Sequence, residues 1–425
     1  MSQKAIQTLT GFRDFAPRDC AIRNYLFETW RGVAHRYGFV EYETPILEDT
    51  ELYLRKSGDE LPTQLFRFED QGGRDVTLRP EVTASLGRLA ARVQREFPKP
   101  MKWFEIGQCF RYEKPQKGRG REFYQFNVDV LGEASAAADA ELVAFAIDCM
   151  RALGFTADDF KLRLSDRQAW LDFCDENDIS DSAVLLGIVD KMERTADDKV
   201  AEQLAAIGLN REALDAFIAR GESEALALVQ ADLGARGLLD YIEIDLSIVR
   251  GLAYYTGVVF EIFDTQKSLR AIAGGGRYDT LLKTVGGFDM PATGFAMGDM
   301  VIRHLIEENT LALAQMEAWL DRQSACDLYI VVADEEQRPN ALRILNQLRS
   351  EGIRCDYAMK KAKFDKQLKA AINSGAKLAL IIGSEFPEMQ LKDLVGQTQS
   401  SLAPNVDLVS RIKDALGSAG GPLLA

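Results

Sequence analysis

A chain of 425 residues is too long for one ordinary hydrophobic core and implies two or three domains. Hydrophobic content of 47% and charged content of 27% are those of a soluble globular protein, and no run of about eighteen apolar residues is present to span a bilayer. The formal net charge of −14 argues against nonspecific binding to a phosphate backbone, which needs many cationic contacts, while leaving room for local basic patches.

The opening "MSQKAIQTLTGF" lacks the apolar core of a secretory signal, so the expected location is the cytoplasm. Residues 18–37 place Ile22, Tyr25, Leu26, Trp30 and Val33 at helical spacing. "GFVEYETPILE" then reads as a strand broken by Pro45, and further strands are expected at 75–80, 101–113 and 122–132. "AADAELVAFAIDCMRALG" reads as a helix. From 172 to 238 the pattern turns helical, which suggests a helical insertion between a first core segment (1–171) and a second (239–322). Strand signals return at 241–263. From 323 to 425 strand and helix alternate, the pattern of a small α/β domain with a mostly parallel sheet and a frayed tail.

Several simple chemistries are excluded by what is missing. Cys20, Cys109, Cys149, Cys174, Cys326 and Cys355 form no C-x-x-C pair, so neither a zinc site nor a disulfide framework is signalled. The two histidines, His35 and His304, have neither a triad context nor ligand spacing. Histidine general-base chemistry is therefore not expected, and no metal site is read.

The basic stretch "FRYEKPQKGRGREFYQFNVDV" (110–130) stands out in an acidic chain. Alternation puts Phe123, Gln125, Asn127 and Asp129 on one strand face and Tyr124, Phe126, Val128 and Val130 on the other. One reading is a half-buried strand with a solvated polar face. The other is a platform for a charged ligand, with Arg111 and Glu113 at the loop mouth, because a guanidinium fork meets phosphate bidentately. In "TLRPEVTASLG" Glu81 and Thr83 open a helix; they suit its dipole, or they could hold an ammonium group. In "VRGLAYYTGVVFEIF" Arg250 is either a surface residue or projects into a cavity, and periodicity does not decide. "AGGGRYDTLL" has neither a Walker nor a dinucleotide signature, and its glycines suit close backbone approach to a ligand contacted by Arg277 and Tyr278. Lys360, Lys361, Lys363, Lys366 and Lys369 make either a solvated face or a nucleic-acid contact.

Taken in order over nearly the whole chain, these segments resemble the histidyl-tRNA synthetases, of class II of the aminoacyl-tRNA synthetases. "GFVEYETPILE" looks like motif 1, and "FRYEKPQKGRGREFYQFNVDVLG" like motif 2 and its loop. "VRGLAYYTG" and "AGGGRYD" look like two histidine-specific signatures, and "PATGFAMGD" like the start of motif 3. The resemblance implies an α+β fold: a six-stranded antiparallel catalytic sheet flanked by helices, a helical insertion domain and a C-terminal α/β anticodon-binding domain. It also implies a homodimer, and two reactions joining histidine, ATP (with Mg2+) and tRNA(His). Carried over by motif, Arg111 and Arg250 would face the α-phosphate. Glu81, Thr83 and Gln125 would bind the ammonium group, and Asp129, Tyr255 and Tyr278 would read the imidazole. Glu113 with Arg119 or Arg121 would serve ATP and the tRNA acceptor end.

Three positions depart from the family pattern. Ala253 stands where the signature usually has Asp, Asp129 where Glu is common, and Val301 where motif 3 usually supplies an ATP-binding arginine. Arg303 lies on a different helical face, so ATP would be clamped by Arg277 or the motif 2 arginines. Val301 also keeps open a non-catalytic relative, the histidine-sensing regulatory subunit of ATP phosphoribosyltransferase.

Overall fold

The computed structural model describes residues 6–55, 61–192, 195–249, 254–266, 271–323, 326–403 and 407–418. Arg250 and Ala253 therefore lie outside the described residues. The chain divides into two compact units, Met1–Met316 and Glu317–Ala425.

The first unit begins with α1 (Pro17–Arg36), β1 (Val40–Glu41), β2 (Leu47–Asp49), α2 (Glu51–Leu54), β3 (Phe66–Glu69), β4 (Asp75–Leu78) and α3 (Thr83–Val93). The long hairpin β5 (Met101–Phe110) and β6 (Glu122–Leu131) follows, then α4 (Ala136–Ala152) and β7 (Phe160–Asp166). Five helices come next: α5 (Arg167–Glu176), α6 (Ser182–Lys191), α7 (Asp197–Ala206), α8 (Arg211–Arg220) and α9 (Glu224–Ala235). The unit closes with β8 (Ile242–Ile244), β9 (Val258–Asp264), β10 (Ala273–Arg277), α10 (Leu281–Gly286), β11 (Ala292–Gly298), α11 (Asp299–Glu308) and the start of α12 (Thr310–Asp321).

Eight strands form the main sheet, in the order β1-β5-β6-β11-β10-β9-β7-β8. The inner six pair antiparallel, and β1 and β8 add to the two edges in parallel. A separate small sheet, β2-β4-β3, holds the segment after Pro45.

Helices α1 and α4 cover one face of the main sheet. Pro17 sits in the first turn of α1, where its missing N–H costs nothing, and Ile22, Tyr25, Leu26, Trp30 and Val33 turn inward. Trp30 stacks on Phe126 at 5.2 Å, and Phe145 of α4 meets Phe295 at 5.7 Å. The opposite face is only partly covered. There α3 and α10 pack Leu86, Ala90, Leu281 and Leu282 against Trp103, Leu131 and Ala292. Helices α5–α9 build their own core, in which Phe173 stacks on Phe217 at 4.3 Å and Trp170 meets it edge-on at 4.8 Å.

The second unit contains β12 (Leu328–Val332), α13 (Arg338–Ser350), β13 (Cys355–Tyr357), α14 (Phe364–Asn373), β14 (Leu378–Ile382), β15 (Met389–Asp393), β16 (Gln399–Leu402) and α15 (Leu408–Ser418). Its sheet runs β13-β12-β14-β15-β16. The first three strands are parallel, but β15 and β16 join antiparallel, so the sheet is mixed rather than mostly parallel. The cause is local. The links before β15 and β16 are too short for a helical crossover, and Asp393 caps the second one by accepting from Val395 N and Gly396 N, both at 2.8 Å.

Candidate functional site

In an antiparallel sheet directly opposed residues share a face, so the register shows what the partly covered face presents. One transverse row runs Trp103, Asp129, Gly294, Gly276 and Val259, and the next runs Glu105, Asn127, Ala296, Gly274 and Glu261. A third places Gly107, Gln125 and Gly298 side by side. Strands β10 and β11 thus contribute almost no side chain here. The result is a backbone floor beside the polar side chains of β6.

The floor is glycine for a steric reason. A Cβ on Gly294 would overlap Asp129 Oδ1 and come within 2.9 Å of the Val128 carbonyl oxygen. A Cβ on Gly107 would lie 2.6 Å from a terminal nitrogen of Arg79.

Asp129, Tyr278 and Tyr255 come together at one end. The Tyr278 hydroxyl donates to Asp129 Oδ1, and Tyr254 bridges the two signature tyrosines, 4.8 Å from the Tyr255 ring and 6.1 Å from that of Tyr278. Burial first, and the Asp129 carboxylate second, push the Tyr278 phenol well above its ordinary range, so it remains a proton donor. Asn127 and Asp129 are only 2% exposed, which overturns the reading of this strand face as solvated.

Arg111 marks the other end, where β5 leaves the sheet. Its Nε donates to the Pro80 carbonyl at 2.9 Å, and its guanidinium lies 5.2 Å from the Phe123 ring. No described residue accepts a hydrogen bond from its two terminal nitrogens. Glu81 and Thr83 follow Pro80 directly, and Glu81 Oε1 accepts from Ala84 N at 3.2 Å, in the first turn of α3. Gln125 lies between the two ends and accepts from the Cys109 thiol at 3.7 Å. Within the loop, Glu113 pairs with Arg119 at 2.5 Å, and Arg121 donates to the Glu113 carbonyl at 3.1 Å while stacking over Tyr112.

Arg277 does not join them. It lies across from Thr293, on the face that α4 covers. Its donors are taken by Asp139 at 2.8 and 3.1 Å, Asp279 at 3.2 Å, and the carbonyls of Glu133 and Ser135 at 3.1 and 3.0 Å. The expectation that it clamps ATP is therefore corrected: no donor remains, and the sheet stands between Arg277 and Asp129. A cavity of about 530 Å³ opens beside it, but in its lining Asp166, Asp172, Glu176, Glu222 and Glu224 outnumber Arg220 and Arg277, which disfavours phosphate.

Two groups on the site face were not assigned from the sequence. Among the described residues, the buried Tyr42 hydroxyl and Asn127 Oδ1 meet no hydrogen-bond partner. Burial, then Asp129, push the Tyr42 phenol well above its ordinary range. Asn127 was legible, lying between Gln125 and Asp129 in the alternation; Tyr42 follows an edge strand and gave no signal. Beneath them Arg79 and Glu105 form a buried ion pair, with Thr44 donating to Glu105 at 2.8 Å. Val301 sits in the first turn of α11 facing the arginine loop, where a Cβ on Gly118 would lie 3.4 Å from its methyl.

An antiparallel six-stranded sheet with this glycine floor and arginine-rich hairpin loop, followed by a separate α/β unit, defines a class II aminoacyl-tRNA synthetase. Family comparison narrows it. Residues 11–302 match the description of histidyl-tRNA synthetase, and residues 327–413 match that of an anticodon-binding domain. The chain is 41% identical to the histidine–tRNA ligase of Opitutus terrae, over 96% of this chain and 98% of that one. A histidyl-tRNA synthetase structure from Nostoc superposes with a TM-score of 0.76 at 26% identity, covering 97% of this chain and 100% of that one. A Bacillus halodurans structure described as ATP phosphoribosyltransferase regulatory subunit/histidyl-tRNA synthetase superposes at 0.69, over 90% of this chain and all of that one. At 20% identity that is a likeness of fold alone. The chain belongs to the histidyl-tRNA synthetase family. Membership carries with it use of ATP as a substrate and binding of tRNA.

Proposed function

We propose that this enzyme is a histidine–tRNA ligase whose chemistry takes place on the glycine-floored face. The observation that carries the reading is the pairing of two ends on one surface: the buried cluster of Asp129, Tyr278 and Tyr255, and the Arg111 guanidinium, whose terminal nitrogens meet no acceptor among the described residues. In the first step the histidine carboxylate attacks the α-phosphorus of ATP. An O–P bond forms, the bridge to the β-phosphate breaks, and pyrophosphate leaves. The attacking carboxylate is already ionised near neutral pH, so no protein base is required. Arg111 and Arg250 stabilise charge developing at that phosphorus. In the second step the 3′-terminal ribose hydroxyl attacks the histidyl carbonyl, AMP leaves, and a phosphate oxygen accepts the proton.

Glu81, Thr83 and Gln125 hold the ammonium group in this reading, while Glu113, Arg119 and Arg121 serve ATP and the acceptor end. Mg2+ enters with ATP; among the described residues no cluster of three His, Cys, Asp or Glu offers a resident metal site. A homodimer is supported by exposed apolar side chains on and beside the small sheet: Val40, Ile46, Leu47, Leu54 and Phe68. Residues 172–238 act as an insertion domain between two segments of the catalytic core, and 323–425 read the anticodon. No described helix is long and apolar enough to cross a membrane, and the cytoplasm is the proposed location. Val301 favours one rival, a histidine sensor without catalysis. Charging of a histidine tRNA transcript by purified protein separates the two: the ligase charges it, and the sensor does not.

A further inference from the structure

Among the described residues, the Tyr42 hydroxyl and Asn127 Oδ1 are polar atoms of the site face that are buried and unpaired. Folded proteins leave few such groups, because an unpaired buried donor or acceptor keeps its full desolvation cost. Tyr42 is fixed through both its backbone and its ring. Its N–H donates to the Phe104 carbonyl at 2.9 Å, and its ring lies 5.7 Å from that of Trp103, which stands opposite Asp129. It packs against the cluster that holds Tyr255 and Tyr278.

The groups that could satisfy this hydroxyl are committed elsewhere. Around it stand Asp129 of β6, Glu105 and Cys109 of β5, and Arg79 ahead of α3. Glu105 accepts from Arg79 and from Thr44, and the Cys109 thiol donates to Gln125. Arg79 also donates to the Gln108 and Thr44 carbonyls, at 2.8 and 3.0 Å. Asp129 Oδ1 takes the proton of Tyr278. Burial, then the Asp129 carboxylate, keep the Tyr42 phenol protonated, which makes it a donor without an acceptor. Asn127 Oδ1 is the converse, an acceptor without a donor. Its residue is 2% exposed, lies midway along β6 between Gln125 and Asp129, and is opposed by Glu105 and Ala296.

We propose that Tyr42 and Asn127 are specificity residues for the amino-acid substrate. The Tyr42 hydroxyl donates to the bare ring nitrogen of a neutral imidazole whose N–H faces Asp129, and Asn127 Oδ1 accepts from the substrate's amino group. The inference rests on the ligase reading and adds two side chains that motif order does not assign. The match is one of hydrogen-bond sense. Histidine carries a ring acceptor, a ring N–H and an ammonium group; this face presents an unpaired donor, a carboxylate and an unpaired acceptor. Keeping both atoms unpaired in the free protein weakens the fold, and a substrate recovers that loss only if it brings the matching atoms. A ring of the same shape without the bare nitrogen leaves the hydroxyl unpaired. Such mismatches are rejected far more strongly than a missing methylene.

The test uses the full-length protein in amino-acid-dependent pyrophosphate exchange. Histidine is compared with its two isomeric pyrrole analogues, which keep one ring N–H and carry C–H in place of the bare nitrogen. The unaltered protein should prefer histidine to either by about a hundredfold or more in kcat/KM. Tyr42→Phe should raise the KM for histidine about tenfold and shrink that preference about tenfold or more. Its urea midpoint should be unchanged or raised, since the hydroxyl it loses had no partner. Asn127→Leu, close in volume, should raise the KM for histidine about tenfold and leave the preference intact. An unaltered KM and preference in Tyr42→Phe, or a lowered urea midpoint with an unaltered KM, would overturn the inference; exchange with histidine would persist, and the ligase reading would stand. Equal use of histidine and a pyrrole analogue by the unaltered protein would overturn it independently of any variant. Absence of histidine-dependent exchange in the unaltered protein would remove the ligase reading, and this inference with it.

Discussion

Gly294→Ala tests the geometry of the floor with a single methyl group. The new Cβ would overlap Asp129 Oδ1 and approach the Val128 carbonyl to 2.9 Å. That carbonyl belongs to the β6–β11 pairing and is held in place, so the Asp129 carboxylate must swing away from Tyr278. Losing a charge-assisted hydrogen bond costs about 1.5–3 kcal/mol, and overpacking a close-packed site about 1–3 kcal/mol. Stability of the first unit should therefore fall by roughly 2.5–6 kcal/mol in urea unfolding, and the KM for histidine should rise at least tenfold. Asp129→Ala removes the atom that clashes. In a double-mutant cycle the two substitutions should accordingly be non-additive by more than about 1 kcal/mol. Additive effects, or an unchanged KM in Gly294→Ala, would refute the contact as the cause.

Three further outcomes follow from other parts of the structure. Arg79→Leu strands Glu105, 1% exposed, without its cation, and should cost about 3–5 kcal/mol in urea unfolding; adding Glu105→Leu should restore much of that loss. Burial pushes the Cys109 and Cys355 thiols up to about 12, so alkylation of the native protein near pH 8 should reach half-buried Cys20 first and leave those two intact until unfolding. If the proposed homodimer forms through the exposed apolar patch, Leu47→Glu with Phe68→Glu should shift sedimentation at micromolar concentration from dimer to monomer.

The order of elements in the first unit was legible because its signals are local: helical spacing in α1, alternation in β6, and a helix opening at Thr83. Pairing was less so. The edge strands β1 and β8 are two and three residues long, too short to carry a pattern, and the antiparallel turn of β15 depends on the length of a link rather than on periodicity. At the candidate site, motif order drew Arg111, Asp129, Tyr255 and Tyr278 together, and the structure sets them along one face. Arg277 was misread because an arginine after a glycine run looks the same whichever face it takes. The side is decided by register against Thr293, and the carboxylate of Asp139 waiting there lies far off in sequence. Tyr42 was missed for the converse reason, since what makes it notable is a neighbour, Asp129, supplied by another strand.

Histidine-dependent pyrophosphate exchange, measured for the purified protein and for Arg111→Ala, bears most directly on the claim that a guanidinium and the Asp129–Tyr278–Tyr255 cluster act from one sheet face. The unaltered protein should exchange label between pyrophosphate and ATP only when histidine is present. Arg111→Ala should be slower by about a hundredfold or more with its unfolding midpoint retained. Exchange at the unaltered rate in that variant would contradict the account.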